Sequence, residues 1–449
     1  MRTASFSLLA ALACFGPTAH AKSIAAPTPT GAVGVTAELE RTVLPQTGGE
    51  TFVRIVLEGR AAPSETKRLP VSLTIVMDES GSMSGEKIEA AKRAALVATE
   101  ELVAGDTLAV IAFSTTARVL VEPLTIGSGN IERARTAIRG LTALDSTNMH
   151  GGLALATKHA SRMHKEGRTS RVLLVSDGQP DSESGLVEQI GALAKKGIGT
   201  TTLGIGRDYN EDLMARLADA GLGNYFFAEN ADDTRVFFAK EISTLAAVVA
   251  KEAMVQITPR AGVTIDQVFG YEAKTLSGKA SSTGAFIVPV GDIYGGRRAD
   301  VLARVRYPKN ETPSAELIEV KVTYQDMVVN AVGRHVLPLV ASFSNDSKTI
   351  EASIRPEVAT KAEKVRTALA LEKASEEYQR GNVAASRAIV AEQKARNATL
   401  SSMGAPAAAA GRALDDDLDS FAAEAEAPKA DMEVMQKRAK AKSRDYKKY

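Results

Sequence analysis

The sequence predicts an α/β fold: a doubly wound, mostly parallel sheet that is inserted in or flanked by an antiparallel β-sandwich and followed by a C-terminal helical hairpin. Three observations support this fold class. Apolar runs of strand length alternate with helical patterns across residues 68–250, as in sheets covered by helices on both faces. Short alternating runs separated by Gly and Pro turns occupy residues 252–342, which is typical of antiparallel sheets. Residues 356–402 carry two helical patterns around Gly381-Asn382, which resemble a helical hairpin.

The first 21 residues predict a signal peptide. Arg2 supplies a short positive region, residues 6–15 an apolar stretch, and Ala19-His20-Ala21 a small-x-small cleavage site. The apolar stretch is shorter than the roughly 18 residues that a transmembrane helix needs. We therefore expect an exported protein, periplasmic or secreted, with no transmembrane segment after signal cleavage.

The single cysteine, Cys14, lies inside the predicted signal peptide. Acylation of Cys14 would make the protein a lipoprotein, but Ala11 stands where lipid-attachment motifs usually carry leucine, so ordinary cleavage is favoured. The mature chain would then contain no cysteine and form no disulfides. That is ordinary for a bacterial exported protein and unusual for an animal secreted one.

The residues after the cleavage site predict a linker and then two strands. Residues 22–32 form a Pro/Ala/Thr-rich linker, and residues 33–60 contain two alternating runs joined by a Gly-rich turn. An antiparallel sandwich needs strands on both faces, and these two runs have no other partner. We therefore expect 33–60 to pair with 252–342, which would make the α/β domain an insertion in the sandwich.

Within residues 68–250 the predicted elements alternate in type. The expected strands are 71–77, 107–113, a pairing strand near 117–121, 171–176, 199–205 and 224–227, and the expected helices are 86–103, 130–140, 150–164, 185–196, 210–219 and 232–249. Alternation of this kind predicts a mostly parallel sheet with helices on both faces. At the other end of the chain, residues 404–449 carry an acidic and then a basic block with little to bury, which predicts a tail that is disordered or only conditionally helical.

Strand 71–77 ends abruptly in a D-x-S-x-S motif formed by Asp78, Ser80 and Ser82. A helical pattern begins soon afterwards, so one carboxylate and two hydroxyls lie on a tight loop at the carboxyl end of a strand. Open α/β sheets place their ligand sites at this end. Oxygen ligands of low total charge suit a hard cation, and Mg²⁺ fits well because it accepts a few protein oxygens and keeps several waters.

Two further residues complete a shell of oxygen ligands. Asp177 ends a second apolar strand, R-V-L-L-V-S, and Thr147 lies in the polar loop D-S-T-N-M-H that precedes a helical pattern. Side chains at the ends of two buried strands converge if those strands are neighbours in a parallel sheet. Helix capping by Asp or Ser explains one such residue, but it does not explain the matching Asp177 and Thr147.

This constellation resembles the metal-ion-dependent adhesion site of the von Willebrand factor type A domain. All of its motif positions are filled here, and the similarity covers roughly residues 68–250, including the segment 201–230. The resemblance implies a bound divalent cation, Mg²⁺ with Mn²⁺ or Ca²⁺ as alternatives. It also implies that Ser80 and Ser82 bind the ion directly and that Asp78 binds it mainly through water.

For the other two positions, the resemblance implies that Thr147 and Asp177 bind directly or through water according to state. Because hydroxyl ligands leave the cation under-neutralised, one open position would accept a Glu or Asp side chain from a partner protein. The positive end of the helix that starts near Glu86 would add to the attraction for that carboxylate.

Composition excludes several other classes of function. Lys and Arg number 55 against 54 Asp and Glu, so the net charge of +1 gives no overall attraction to nucleic acid. Tryptophan is absent and aromatic residues are 5% of the chain, which argues against a stacking surface for bases. The sequence offers no nucleophile–base pair, so we expect a protein that is not an enzyme.

The sequence therefore predicts an exported, cation-dependent protein-binding module that acts in adhesion or envelope assembly. A first alternative is a structural envelope protein in which the cation only stabilises the loops. A second is an accessory subunit of a chelatase or MoxR-type ATPase system, which the signal peptide disfavours because those systems are mostly cytoplasmic. The oligomeric state stays open at this point.

Overall fold

The computed structural model of the protein describes residues 31–60, 68–127, 129–165, 167–206, 209–228, 241, 245, 247–271, 273–275 and 284–424. The predicted signal peptide, the linker up to residue 30 and the tail after residue 424 lie outside these residues. Most of the helix predicted over 232–249 also lies outside them. That helix does not extend to residue 249 as predicted, because a strand begins at Val248. The sandwich domain therefore begins at Val248 and not at residue 252 as predicted.

Three strands precede the α/β domain: β1 (Val33–Leu39), β2 (Val43–Pro45) and β3 (Gly49–Gly59). β1 and β3 form an antiparallel pair in which Val33 lies opposite Gly59 and Leu39 opposite Val53. Alternate residues of β3 are fully buried, with Val53, Ile55 and Leu57 all in the core. These two strands thus bury one face, as the alternation in their sequence requires.

The α/β domain has six strands and five helices among the described residues. The strands are β4 (Val71–Asp78), β5 (Thr107–Phe113), β6 (Ala117–Thr125), β7 (Thr169–Ser176), β8 (Ile198–Ile205) and β9 (Leu222–Ala228). The helices are α1 (Glu86–Glu100), α2 (Ile131–Arg139), α3 (Met149–Met163), α4 (Leu186–Ala194) and α5 (Glu211–Ala220).

The strands of this domain form one sheet in the order β6-β5-β4-β7-β8-β9. All neighbours are parallel except β6, which runs antiparallel to β5. α1 and α2 pack on one face of the sheet, and α3, α4 and α5 pack on the other. Every residue of β4 and of β7 is buried, because a central parallel strand is covered on both faces. The predicted doubly wound α/β fold is confirmed.

The strands after the α/β domain complete a β-sandwich. They are β10 (Val248–Pro259), β11 (Thr264–Phe269), β12 (Lys274–Thr275), β13 (Phe286–Tyr294), β14 (Arg298–Tyr307), β15 (Ser314–Asp326) and β16 (Ala331–Ser344). One sheet has the order β1-β3-β14-β11 and the other β12-β13-β10-β15-β16-β2. β3 therefore lies between β1 and β14. The α/β domain is inserted in the chain between β3 and β10, which are both strands of the sandwich.

A buried arginine joins the α/β domain to the sandwich. Arg171, near the start of β7, is 2% exposed, and its guanidinium donates to the hydroxyl of Tyr294 at the end of β13. A carboxylate oxygen of Asp292 lies 3.8 Å from the same guanidinium. This junction is at the end of β7 opposite to Asp177, so the two domains meet away from the predicted metal site.

Helices follow the sandwich: α6 (Ser347–Ala352), α7 (Pro356–Gln379), α8 (Val383–Asn397), a short 3₁₀ segment (Ala398–Met403) and α9 (Ala405–Glu424). α7 and α8 form the predicted hairpin. α7 also packs on the four-stranded sheet, where Val358, Ala362 and Val365 meet Phe52 and Leu302. We call α7, α8 and α9 the helical module. None of the described helices combines the length and the apolar character that a membrane span requires.

Of the two alternatives predicted from residue 404, disorder is wrong for residues 405–424, which form a helix. In α9, Leu418 and Phe421 pack with Leu371 of α7 and Val390 of α8, and Leu414 packs with the 3₁₀ segment. The spacing of these apolar residues puts them on one helix face, while acidic residues between them stay outside. The sequence does not predict this packing, because the few apolar residues of the acidic block find their partners only in the tertiary structure.

Replacing Phe421 by alanine is expected to loosen the helical module. Phe421 is 4% exposed, and removing a buried ring costs about 3 kcal/mol through lost burial and the cavity left behind. Hydrogen–deuterium exchange of the full chain should show faster exchange in α8 and α9 for Phe421→Ala than for Arg412→Ala, an exposed position of α9. Unchanged protection in Phe421→Ala would contradict the packing of α9.

Candidate metal centre

Asp78 is the last residue of β4, at the carboxyl edge of the sheet. After it the chain makes a 3₁₀ turn (Gly81–Met83) and enters α1 at Glu86. Gly85, the residue before α1, has a φ of 74°, a conformation that favours glycine. Asp78 and Ser80 are fully buried, whereas Ser82 is exposed. The loop therefore carries its oxygens from the interior of the domain to its surface.

The carboxylate of Asp78 is fixed through both oxygens. Its Oδ1 accepts a hydrogen bond of 2.9 Å from the backbone N–H of Ser80, and its Oδ2 accepts one of 2.5 Å from the hydroxyl of Ser176. Burial raises the pKa of Asp78 to about 6, although the bonds from Ser176 and Ser80 lower it, and the neighbouring charge of Asp177 raises it further. A nearby cation would compensate the cost of burying this charge.

The two serines of the motif present a pair of hydroxyls. The Oγ atoms of Ser80 and Ser82 lie 3.1 Å apart. Serine hydroxyls carry two acceptor lone pairs each, so a pair at this separation can supply two neutral oxygens to one ion. The same loop is tied to the rest of the sheet by Glu79, which is buried and paired with Arg118, and by the bond from Leu144 N–H to the Glu79 carbonyl.

Asp177 directly follows β7, the strand that pairs with β4. It is fully buried, and its Oδ2 accepts a hydrogen bond of 3.2 Å from the ammonium of Lys87 in α1. Its Oδ1 has no hydrogen-bond partner in the described part of the chain. A buried carboxylate oxygen without a partner is costly, since such groups are normally satisfied. This oxygen is therefore the clearest sign of a missing ligand at the site.

The turn after Asp177 requires a glycine. Gly178 has a φ of 68°, and a Cβ at this position would lie 2.8 Å from Met214 and 3.1 Å from the carbonyl of Asn210. Asn210, which caps α5, also donates its backbone N–H to the carbonyl of Asp177 at 2.9 Å. Close packing against the start of α5 thus holds Asp177 at the edge of the sheet.

Thr147 reaches the site from a third loop. It is 7% exposed and precedes Asn148, which caps α3 by accepting from Gly151 N–H at 2.9 Å. Thr147 is joined to the Asp177 loop through Asp181: the backbone N–H of Thr147 donates to the Asp181 carboxylate at 3.2 Å, and the Asp181 N–H donates to the Thr147 carbonyl at 3.1 Å. The role of Asp181 is not predictable from sequence, because nothing in its local pattern indicates that the two loops meet.

The structure thus places the predicted residues on three loops at one edge of the sheet, with Asp78 and Asp177 at the ends of paired strands. Lys87 and Ser176 also contact this group, through Asp177 and Asp78 respectively, and nothing in the local sequence indicates either contact. No cluster of three or more His, Cys, Asp or Glu side chains suited to a metal was found in the described ranges. This site has only two carboxylates, and its other donors are hydroxyls. An all-oxygen donor set with an unpartnered buried carboxylate oxygen fits a hard divalent cation.

Comparison with known proteins agrees with the fold. Residues 71–227 match the von Willebrand factor type A domain family. Uncharacterized protein YfbK from Escherichia coli is 30% identical over 251 residues, which are 54% of this chain and 43% of that protein. Uncharacterized protein sll0103 from Synechocystis is 27% identical over 281 residues, 61% of this chain and 66% of that protein. The chain thus spans less than two thirds of either relative.

A solved structure shares the fold over nearly the whole chain. A von Willebrand factor type A protein from Catenulispora acidiphila superimposes with a TM-score of 0.72 at 18% identity, covering 92% of this chain and 98% of that one. At this identity the similarity concerns the fold alone. The family match assigns residues 71–227 to the von Willebrand factor type A domain family, and the shared fold agrees with that assignment.

Proposed function

We propose that this domain binds one divalent cation and uses it to capture a Glu or Asp side chain of a partner protein. The ion would be Mg²⁺, with Mn²⁺ or Ca²⁺ as alternatives. Its ligands would be the oxygen-bearing side chains of the three loops, namely Asp78, Ser80, Ser82, Thr147 and Asp177. The observation that carries this proposal is the buried Oδ1 of Asp177, which has no partner in the described part of the chain. Von Willebrand factor type A domains generally mediate protein–protein interaction or adhesion.

The hydrogen bonds suggest how the ligands divide their roles. Both oxygens of Asp78 already accept bonds from Ser80 and Ser176, so Asp78 would hold the ion mainly through water. The free Oδ1 of Asp177 and the hydroxyls of Ser80 and Ser82 would bind directly or through single waters. A bound cation would supply the electrostatic attraction for an incoming carboxylate, as a Lewis acid with an open position.

The charge of the site favours an acidic partner. Asp78 and Asp177 would together balance a divalent cation, but Lys87 is bonded to Asp177 and adds a positive charge. The start of α1 contributes a partial positive charge as well. The loaded site would therefore be net positive, and a partner carboxylate would neutralise it. This function needs no covalent chemistry, so we propose a binding protein and not an enzyme.

Export is part of the proposal and rests on residues 1–21, which lie outside the described residues. An exported module of this kind would act in adhesion or envelope assembly. A structural role, in which the cation only stabilises the three loops, differs in one measurable way: Mg²⁺ would raise the melting temperature, but no acidic ligand would bind. Export disfavours an accessory role beside a chelatase or MoxR-type ATPase, because those systems are mostly cytoplasmic.

Thr147→Ala is expected to impair ligand capture more than cation binding, because Thr147 lies on the loop that would face the incoming carboxylate. The probes are peptides with a central Glu or Asp and their Gln or Asn counterparts, measured with Mg²⁺ and with a chelator. Wild type should bind acidic peptides only with Mg²⁺, and Thr147→Ala should bind them about tenfold more weakly, equivalent to about 1.4 kcal/mol.

The matched control is Thr116→Ala, an exposed threonine outside the site, which should behave as wild type. Calorimetric titration with Mg²⁺ should give similar affinities for all three proteins. Peptide binding that persists in chelator would contradict cation-dependent capture. Equal binding of the Glu and Gln peptides would contradict recognition of a carboxylate.

A further inference from the structure

A cavity of about 320 Å³ lies between the sandwich and the helical module. Arg54 of β3 and Asp300 of β14 line it from the sheet, and Thr360, Lys361 and Lys364 line it from α7. The start of α9 closes another side through Pro406. A volume of this size is in the range of small-molecule sites. None of the three loops of the candidate metal centre contributes to its lining.

Lys361 is the unusual residue of this cavity. It is only 3% exposed, although lysine is one of the residues least often found fully buried. Its Nζ has no hydrogen-bond partner within the residues that the structure describes. Burying an ammonium group without a partner costs free energy. A bound anion would compensate this cost at Lys361.

The two carboxylates that line the cavity, those of Asp300 and Glu357, are both paired with the guanidinium of Arg54 and not with Lys361. Asp300 accepts three hydrogen bonds from Arg54, at 3.0 and 3.1 Å from Nε and 2.7 Å from Nη2, and Glu357 accepts a fourth at 3.1 Å from Nη1. The positive charges of Lys361 and Lys364 are therefore not balanced by a direct ion pair in the described part of the chain. Two ammonium groups and a threonine hydroxyl remain available as donors at one cavity.

Electrostatics agrees with this geometry. Burial lowers the pKa of Lys361 to about 8, Asp300 opposes that change, and the charges of Lys364 and Arg54 lower the pKa further. At neutral pH the ammonium is still mainly protonated. The cavity thus holds a buried positive charge beside a second one, and a bound anion would relieve both.

We propose that this cavity binds a phosphate group, either inorganic phosphate or the phosphate of a small monoester, with Lys361 as its principal ligand. A doubly charged oxyanion matches two unpaired ammonium groups better than a carboxylate does, and the hydroxyl of Thr360 is a further donor. The volume leaves room for a small organic group on the phosphate. Because its lining comes from both the sheet and α7, a bound phosphate would also strengthen the contact between the sandwich and the helical module.

The test is calorimetric titration of the full chain, in phosphate-free buffer, with inorganic phosphate and with glycerol 3-phosphate. Wild type should bind at least one of them saturably, and the tighter of the two distinguishes a free phosphate site from a monoester site. Lys361→Met should weaken binding about tenfold or more, as expected for loss of a charged donor. Lys373→Met, an exposed lysine of the same helix, should leave the affinity unchanged.

Two further measurements keep the proposal falsifiable. Lys364→Gln, which removes the second ammonium without touching the buried one, should also weaken binding, so a folding defect in Lys361→Met would not decide the outcome. Without phosphate, Lys361→Met should unfold at a higher temperature than wild type at pH 7, because it removes an unpaired buried charge.

The difference in unfolding temperature should shrink as pH rises from about 8 toward 10.5, since wild type then gains stability by folding with a neutral Lys361. Absence of saturable binding of either compound to wild type would overturn the proposal. Equal affinities for wild type, Lys361→Met and Lys364→Gln would also overturn it.

Discussion

Asp78→Asn is expected to weaken Mg²⁺ binding by about 100-fold while the sheet stays folded. Asparagine keeps the shape of the side chain and can still accept from Ser80 N–H, but it removes the negative charge that would attract the ion. Loss of a group that holds a metal through a hydrogen-bonded outer shell typically costs about 10- to 100-fold in affinity. Because burial already disfavours the charged form of Asp78, removing this negative charge should not destabilise the metal-free domain.

Calorimetry with Mg²⁺ and Mn²⁺ measures this effect, and circular dichroism checks the fold. Asp145→Asn is the matched control, because Asp145 is an exposed carboxylate on the Thr147 loop and its loss should change the affinity little. Chelator should lower the melting temperature of wild type but not that of Asp78→Asn. Equal Mg²⁺ affinities for wild type and Asp78→Asn would show that the ion binds elsewhere or not at all.

Deletion of residues 31–60 is expected to unfold the sandwich while the α/β sheet remains. β3 is paired with β14 along its whole length, from Gly49 opposite Tyr307 to Glu58 opposite Arg298. Each fully buried aliphatic side chain contributes about 1.5–3 kcal/mol, so the loss of Val53, Ile55 and Leu57 alone approaches the roughly 5–15 kcal/mol by which a domain is stable. Deletion also removes Arg54 and leaves the buried Asp300 without its ion pair.

Segment-resolved hydrogen–deuterium exchange measures this effect. In the deletion variant the amides of β10, β14 and β15 should exchange rapidly, and those of β4 and β7 should stay protected. Deletion of residues 22–30, which precede the described strands, should leave all of these segments protected. Retained protection in β14 after loss of 31–60 would show that the later strands form a stable sandwich without the N-terminal ones.

The candidate metal centre and the domain junction lie at opposite ends of the same strand. Asp177 lies beyond the carboxyl end of β7, whereas Arg171 meets Tyr294 near the start of the same strand. Strand β7 thus separates the two, and no hydrogen bond or ion pair between the described residues joins the candidate metal loops to the sandwich.

The sequence by itself determined the α/β sheet and the candidate ligands. Strands β4 and β7 are recognisable because a central parallel strand is buried on both faces and reads as an unbroken apolar run. Asp78 and Asp177 each end such a run, and the D-x-S-x-S spacing marks the turn into α1. These are local signals: each depends on a few neighbouring residues and can be recognised without the rest of the chain.

Only the tertiary structure decided the features that depend on distant partners. Asp181 joins two loops that are 34 residues apart at its bond to Thr147, and α9 is ordered because Leu418 and Phe421 meet residues of α7 and α8. Lys361 reads in sequence as an ordinary helix-surface lysine, yet the sheet and α9 cover it. Burial and pairing are properties of the whole chain, since they arise from surfaces that become neighbours only on folding, and no local pattern of residues encodes them.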